Sequence, residues 1–402
     1  MIQVNSMHEQ SWKNRITRFL GAQSLSLLGS AIVQYAIVWH IALETSSGMM
    51  MTIATIVAFV PQIIISPFAG VLLDRYNRKA IIMISDTLIA IATLILFVAM
   101  NRGYTSLPLI FTTMMIRSSG AGVQMPAVNA VVPQLVGGER LMRINSIYAT
   151  LVSIMTFASA AIAAVILAQF GLKMTLLVDV FTALAGVAIT ATVYFPPLDQ
   201  SDAQEISGIE EFKQGIAYLR THPFAKRLLS YQAFILFLIS PVFLIPIIAQ
   251  RSLGGEVFHL AAIEGAYGIG AIIGGVLIAL WGGFKNRMTT VILTSVCFGI
   301  LMVGMGFASF YAFATLVFIW GIIGPSFDTS FITSLQERVE PDMHGRVFSF
   351  MQIAVASALP LGMIVFGPLA DVVSIESIFM VTGASVVACA AFGKWGLRLE
   401  RV

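Results

Sequence analysis

Long apolar runs separated by short polar turns recur along the whole chain. Read by length, they give twelve candidate spans: 17–43, 49–73, 80–100, 107–131, 144–168, 172–194, 227–249, 258–281, 289–308, 311–333, 347–370 and 375–396. Each is long enough for a hydrocarbon core of about 30 Å, so each predicts a membrane-crossing helix. The longest polar interval is 195–226, which opens on Pro196-Pro197 and carries Asp199, Asp202, Glu205, Glu210 and Glu211. Six spans lie on either side of it. The expected fold class is therefore all-α integral membrane, with a six-helix bundle over 1–194, a cytoplasmic linker over 195–226 and a second six-helix bundle over 227–402. Inside the linker, Ile209, Phe212, Ile216 and Leu219 share one helical face, which predicts a short amphipathic helix lying on the membrane surface.

Composition supports this class. Apolar residues make up 58% and charged residues 11% of the chain, against roughly 25% charged in an ordinary soluble domain. Lipid must be the solvent for much of that surface. A net charge of +3 gives no case for nucleic-acid binding. Cys297 and Cys389 both fall in apolar runs and read as buried spectator thiols. The opening segment, with Lys13, Arg15 and Arg18, has too long an apolar run for a cleaved leader and reads as a retained first helix.

Orientation follows from the basic residues. Of the 23 Lys and Arg, nineteen fall on one side of the alternating spans and three (Arg102, Lys173, Arg251) on the other, with Arg117 inside a span. The basic side is the cytoplasmic one, which places both termini there. No His-x-x-x-His pair, nucleophile constellation or phosphate-binding Gly-Lys-Ser loop stands out, so neither an enzyme nor a cofactor is expected, and ATP drive is disfavoured.

The candidate chemistry lies in the turns and in the few polar groups within spans. The densest charged turn, Gly70-Val71-Leu72-Leu73-Asp74-Arg75-Tyr76-Asn77-Arg78-Lys79, separates spans 2 and 3. The turn Val132 to Ser146, between spans 4 and 5, has a counterpart 203 residues later in Leu335 to Ser349, between spans 10 and 11. Both run from a helix end through an acidic turn to an Arg, Arg143 or Arg346, at the next helix. Such a weak repeat is the mark of two related halves. The second half's counterpart of the charged turn, Gly282-Gly283-Phe284-Lys285-Asn286-Arg287, has lost the Asp.

A charge inside the bilayer costs about 2.5–3.5 kcal/mol on insertion scales, so each needs a reason. Arg117 sits near the middle of span 4; it reads either as a cavity-facing partner of a carboxylate or as an interhelical clamp. Asp86, Asp179, Glu264 and Asp328 each lie a few residues inside a span and are the candidates for carrying a coupling proton. In span 1, Gln23, Ser26, Ser30 and Gln34 share one helical face. With Gln124 of span 4 they are the candidates for lining a substrate cavity, helix–helix hydrogen bonding being the other reading.

The turn at 70–79 resembles the loop between helices 2 and 3 of the major facilitator superfamily, whose members are secondary transporters. Arg117-Ser118-Ser119-Gly120-Ala121-Gly122, followed by Pro126-Ala127-Val128-Asn129-Ala130-Val131-Val132-Pro133, resembles span 4 of that superfamily's drug:proton antiporters, and more narrowly of their macrolide-efflux branch. Gly345-Arg346-Val347-Phe348-Ser349 and Asp179 fit the same branch. In span 5, Phe157 to Ala164 offers small residues where many such exporters carry Gly and Pro.

The resemblance implies a monomeric transporter of the bacterial cell membrane, exporting a small amphipathic molecule against protons by alternating access. It also implies a gate made by Gly70, Asp74, Arg75, Arg78 and Lys79 with Arg346, in which Asp74 sits against the start of span 11. Export or symport of an endogenous metabolite such as a siderophore is the alternative. A membrane enzyme or receptor is a remote third.

Overall fold

The computed structural model describes residues 2–136, 138–196, 217–254, 257–340 and 343–396. Among them every regular element is helical, as the apolar runs predict. Contacts divide the chain into two compact units, one of residues 1–40 with 56–205 and one of 41–55 with 206–402.

The first unit's helices are α1 (Ile2–Thr45) and α2 (Gly48–Arg75), each of which continues into the second unit, then α3 (Arg78–Asn101) and α4 (Leu107–Leu135). The following helical run, Gly138–Thr192, breaks where Gly171 adopts φ 70° and ψ 178°. Only a residue without Cβ takes that conformation freely, so Gly171 separates α5 (138–170) from α6 (172–192). The tight turn before α3 is set by Asn77. Its Oδ1 accepts from the backbone N–H groups of Lys79 at 2.9 Å and Ala80 at 3.3 Å, a helix N-cap that satisfies donors left over at the helix start.

The second unit holds α7 (Pro223–Ile239), α8 (Ile245–Ser252), α9 (Val257–Trp281), α10 (Arg287–Met305), α11 (Phe310–Arg338), α12 (His344–Leu369) and α13 (Ile375–Gly396). The single span expected over 227–249 is divided between α7 and α8 by a tighter turn, Ser240–Leu244. Pro241 and Pro246 lie at the starts of that turn and of α8, where a missing N–H does least harm. Asn286 caps α10 as Asn77 caps α3, accepting from the Met288 N–H at 3.0 Å.

Ten helices among the described residues are long and apolar enough to cross a membrane, the run through Gly171 counting as one. Its division at that glycine and the more polar α4 complete the twelve expected. Most of the amphipathic helix expected over 209–219 lies outside the described residues; 217–221 are helical.

The units differ in what surrounds their close helix approaches. In the second, a Cβ added at Gly274 or Gly270 of α9 would run into the carbonyl oxygen of Ile322 or Phe318 on α11. These helices meet backbone to backbone, which small residues permit. Around them, Trp320 stacks on Phe298 with ring centroids 4.4 Å apart, and Phe327 meets Phe298 edge-on at 5.7 Å. In the first unit, α4 approaches α2 in the same way, Gly122 against the Gln62 backbone, and a polar network joins α1, α3, α4 and α6.

Candidate functional site

The network is built from four helices of the first unit. Arg117 of α4 is 5% exposed and Asp179 of α6 fully buried, and they form an ion pair. Two hydroxyls complete the carboxylate: Ser30 of α1 donates to Oδ1 and Thr93 of α3 to Oδ2, both at 2.8 Å. Thr93 also accepts from Arg117 Nη1, and Arg117 Nη2 donates to the Ser30 carbonyl at 3.1 Å. The guanidinium therefore satisfies an anion, a hydroxyl and a backbone oxygen at once, a use of its planar fork that an ammonium would not reproduce. Among its donors, only Nε is left without a partner.

A second carboxyl lies close by in quite different company. Asp86 of α3 is 1% exposed. Its Oδ1 accepts from Ser26 of α1 at 2.7 Å and from Nε2 of Gln124 of α4. Gln23 stands beside it, and Asp179 is near enough to interact with its charge. Asp86 Oδ2 and Gln23 Nε2 are both buried without hydrogen-bond partners. Every group bonded to Asp86 is a neutral donor, whereas Asp179 has a cation.

Helix periodicity explains how so few segments build both sites. Ser26 and Ser30 are one turn apart on α1, and Asp86 and Thr93 are two turns apart on α3. Thus α1 presents one donor to each carboxyl, and α3 carries Asp86 together with a donor to Asp179. Gly29 lets α1 approach α6, since a Cβ there would strike the Thr182 hydroxyl.

The structure therefore brings together Gln23, Ser26, Ser30, Asp86, Arg117, Gln124 and Asp179 from the residues selected in the sequence. Gln34 is half-buried and joins neither carboxyl. Glu264 of α9, half-buried, and Asp328 of α11, exposed, belong to the second unit, and neither has an ion-pair partner among the described residues. Thr93 was not selected; its spacing of seven from Asp86 is the signal that marks it.

Of the gate residues, Arg78 donates to the Ala130 carbonyl at 2.9 Å, and Lys79 to the carbonyls of Ala191 at 2.7 Å and Val193 at 2.8 Å. These contacts tie the charged turn to the ends of α4 and α6. Gly70 has open space where a Cβ would stand, and Arg75 is exposed. The side chains of Asp74 and Arg346 lie outside the described residues.

Two further polar clusters, both in the second unit, escaped sequence reasoning. Asp371, after α12, accepts from the N–H groups of Gly48 at 2.7 Å and Met49 at 2.9 Å and from the Ser47 hydroxyl at 2.9 Å, so it caps α2. Arg251 pairs with Asp371 at 3.3 Å and donates to the Ala370 carbonyl at 2.7 Å. Partial burial opposes the charge on Asp371, but the two N–H groups, Ser47 and Arg251 outweigh it and hold the carboxyl below its usual range. Gly367-x-x-x-Asp371 repeats the spacing of Gly70-x-x-x-Asp74 at the end of α2, a signal that could have found it. In the other cluster, Glu340 accepts from the Tyr218 hydroxyl and faces His222 Nε2 at 3.4 Å. Tyr218 holds the Glu340 carboxyl below its usual range; burial and then Glu340 push the Tyr218 hydroxyl up to about 12.

Residues 19–362 match the family model described as Major Facilitator Superfamily. Macrolide efflux protein A of Streptococcus pyogenes is 29% identical over 387 residues, covering 94% of this chain and 95% of that one. The Staphyloferrin A transporter of Staphylococcus aureus is 23% identical over 376 residues, covering 92% of this chain and 93% of that one. Among solved structures, the nucleoside transporter NupG superposes with a TM-score of 0.74 at 15% identity, covering 97% of this chain and all (100%) of that one. A bacterial homolog of the human lysosomal transporter Spinster gives 0.66 at 14% identity, with coverage of 95% and 94%.

Proposed function

The chain belongs to the Major Facilitator Superfamily, and on that premise we propose that it is a secondary exporter of bulky amphipathic molecules of the macrolide kind, driven by proton entry through alternating access. The single observation that carries the proton drive is the pair of buried carboxyls in the first unit. Asp179 is neutralised in place by Arg117, whereas Asp86 meets only neutral donors. A buried carboxylate held by neutral donors alone has no fixed counter-charge, so it is free to exchange its charge for a proton. Such a group is what coupling to a proton gradient requires. The macrolide class rests on the relatedness to the efflux proteins over nearly the whole chain.

In this reading the protein works as a monomer in the cell membrane, with both termini in the cytoplasm. By family resemblance, Asp74 against the start of α12 latches the inner gate, while Arg78 and Lys79 keep the turn in position. Siderophore export is the second reading, favoured by the relatedness to the Staphyloferrin A transporter.

Purified protein in liposomes, with an imposed pH gradient and a panel of labelled macrolides and staphyloferrin A, tests both. Gradient-dependent macrolide transport is the expected result. Siderophore transport alone selects the second reading, and transport indifferent to the pH gradient overturns proton drive.

A further inference from the structure

Three groups bond to or stand beside Asp86, and they differ in one respect. Ser26 and Gln23 are 2% and 3% exposed, sealed inside the unit. Gln124 is half-buried, so it touches Asp86 and is also reachable from outside. Its Nε2 points inward to Oδ1, because a carboxylate accepts only from the amide's N–H end. Planarity of the amide then turns Oε1 away from Asp86, and Oε1 makes no hydrogen bond among the described residues.

Protonation changes what Asp86 asks of that amide. The open position is Oδ2, which is buried without a partner. When a proton binds there, the O–H bond forms, the anion disappears and the carboxyl becomes a donor. A charge-assisted bond from Gln124 is replaced by a weaker neutral one. A half-turn of the carboxyl about its own terminal torsion brings that O–H to face Gln124, where it is best satisfied by the amide's carbonyl end. A half-turn of the amide about its terminal torsion, a broad and low barrier, exchanges its two ends. The other charges near Asp86 are those of Arg117 and Asp179, already paired with each other. Among the described residues no Lys or Arg bonds to Asp86.

We infer that Asp86 and Gln124 form one switch: the charge on Asp86 decides which end of the Gln124 amide faces outward, and so whether the accessible surface offers a hydrogen-bond acceptor or a donor. With Asp86 ionised, the acceptor Oε1 faces outward and holds hydroxyl or ammonium donors of the transported molecule. With Asp86 protonated, the acceptor is withdrawn and the molecule is released. Proton and cargo thereby exclude each other without sharing an atom. This rests on the exporter reading above, and it makes Gln124 a residue that selects donor-rich cargo.

The test measures binding of a radiolabelled macrolide to the purified full chain at low and at neutral pH. In the wild type, affinity rises roughly tenfold with pH, the scale of one charge-assisted hydrogen bond. Gln124→Met keeps the shape but has no polar ends, and Asp86→Asn fixes the charge at zero. Both are expected to bind weakly and equally at the two pH values. A pH slope that survives in Gln124→Met, which is half-exposed and tolerant of change, overturns the switch. If the wild type binds no macrolide at all, the exporter reading fails by itself. The switch is then read without cargo, by infrared titration of the carboxylic C=O stretch. The band lost in Asp86→Asn must shift in Gln124→Met; a band unmoved by Gln124→Met overturns the inference.

Discussion

Helices α4 and α11 are both 29 residues long and hold the same place in their repeats. The eleventh residue of α4 is Arg117, bonded to Asp179; the eleventh of α11 is Trp320, stacked on Phe298. The ninth residue of α3 is Asp86; the ninth of α10 is Ser295, fully buried and donating to its own helix at the Val291 carbonyl, 2.8 Å away. The turns before these two helices remain alike, with Asn77 and Asn286 as caps. The repeats therefore share a helix length in α4 and α11 and a cap in α3 and α10 while their interiors diverge. One stores charge in hydrogen bonds, and the other closes with aromatic rings. Local devices survive such divergence because they depend on a turn's own backbone. A buried charge survives only where every neighbouring helix supplies a matching partner.

The sharpest break of this comparison is Arg117→Ala. It leaves Asp179 buried without a cation, a loss of about 3–5 kcal/mol, seen as a lower melting temperature in detergent and lost transport. Arg117→Lys is expected to recover part of both. Trp320→Arg, the reverse exchange, should destabilise by a similar amount, because that position is packed against the Phe298 ring and, among the described residues, no carboxylate bonds to it. A folded, stable Trp320→Arg protein would mean that the two interiors are less distinct than their contacts indicate.

Next in size is Gly274→Ala. The added Cβ meets the backbone carbonyl of Ile322, which cannot yield without parting α9 from α11, so a loss near 3 kcal/mol is expected. Gly29→Ala in the first unit meets the Thr182 hydroxyl and its Cβ and comes close to the Asp179 backbone, so a loss of similar size, about 2–3 kcal/mol, is expected. A loss at only one of the two in thermal melts would show that close helix approach matters in one unit alone.

Asp371→Ala removes a helix cap worth about 0.5–2 kcal/mol, read as faster hydrogen exchange at the Gly48 and Met49 amides. Because the folded-state pKa of Asp371 is depressed, its contribution is present above the usual carboxylate pKa. It disappears as pH falls through the lower, folded value. Protection of those two amides should follow that course in the wild type and be flat in Asp371→Ala.

The smallest effect tests what the repeats share. Asn77→Ala and Asn286→Ala should each cost about 1 kcal/mol and by similar amounts, again in thermal melts.

The apolar runs legible in the sequence correspond to helices throughout the described residues, and the break at Gly171 falls between two predicted spans. Span length and a glycine's freedom are local properties, so one chain suffices to read them. The division of span 7 was missed, although Pro241 and Pro246 stood in plain view, because a proline tells where a donor is missing and not whether the helix resumes. The face of α1 carrying Gln23, Ser26 and Ser30 was readable from spacing alone.

What spacing could not assign was a partner. Four acids were candidates to carry a coupling proton and none was assigned to Arg117; only α6 brings one to it among the described residues, so the choice of Asp179 belongs to helix packing. The same packing leaves Asp86 with neutral donors and sets Gln124 between a sealed carboxyl and the outside. Sequence determines which residues lie on one face of a helix, because a helix repeats every 3.6 residues whatever surrounds it. Which faces meet is decided by the whole bundle, through glycines such as Gly29 that let backbones approach and through the need to satisfy every buried polar atom.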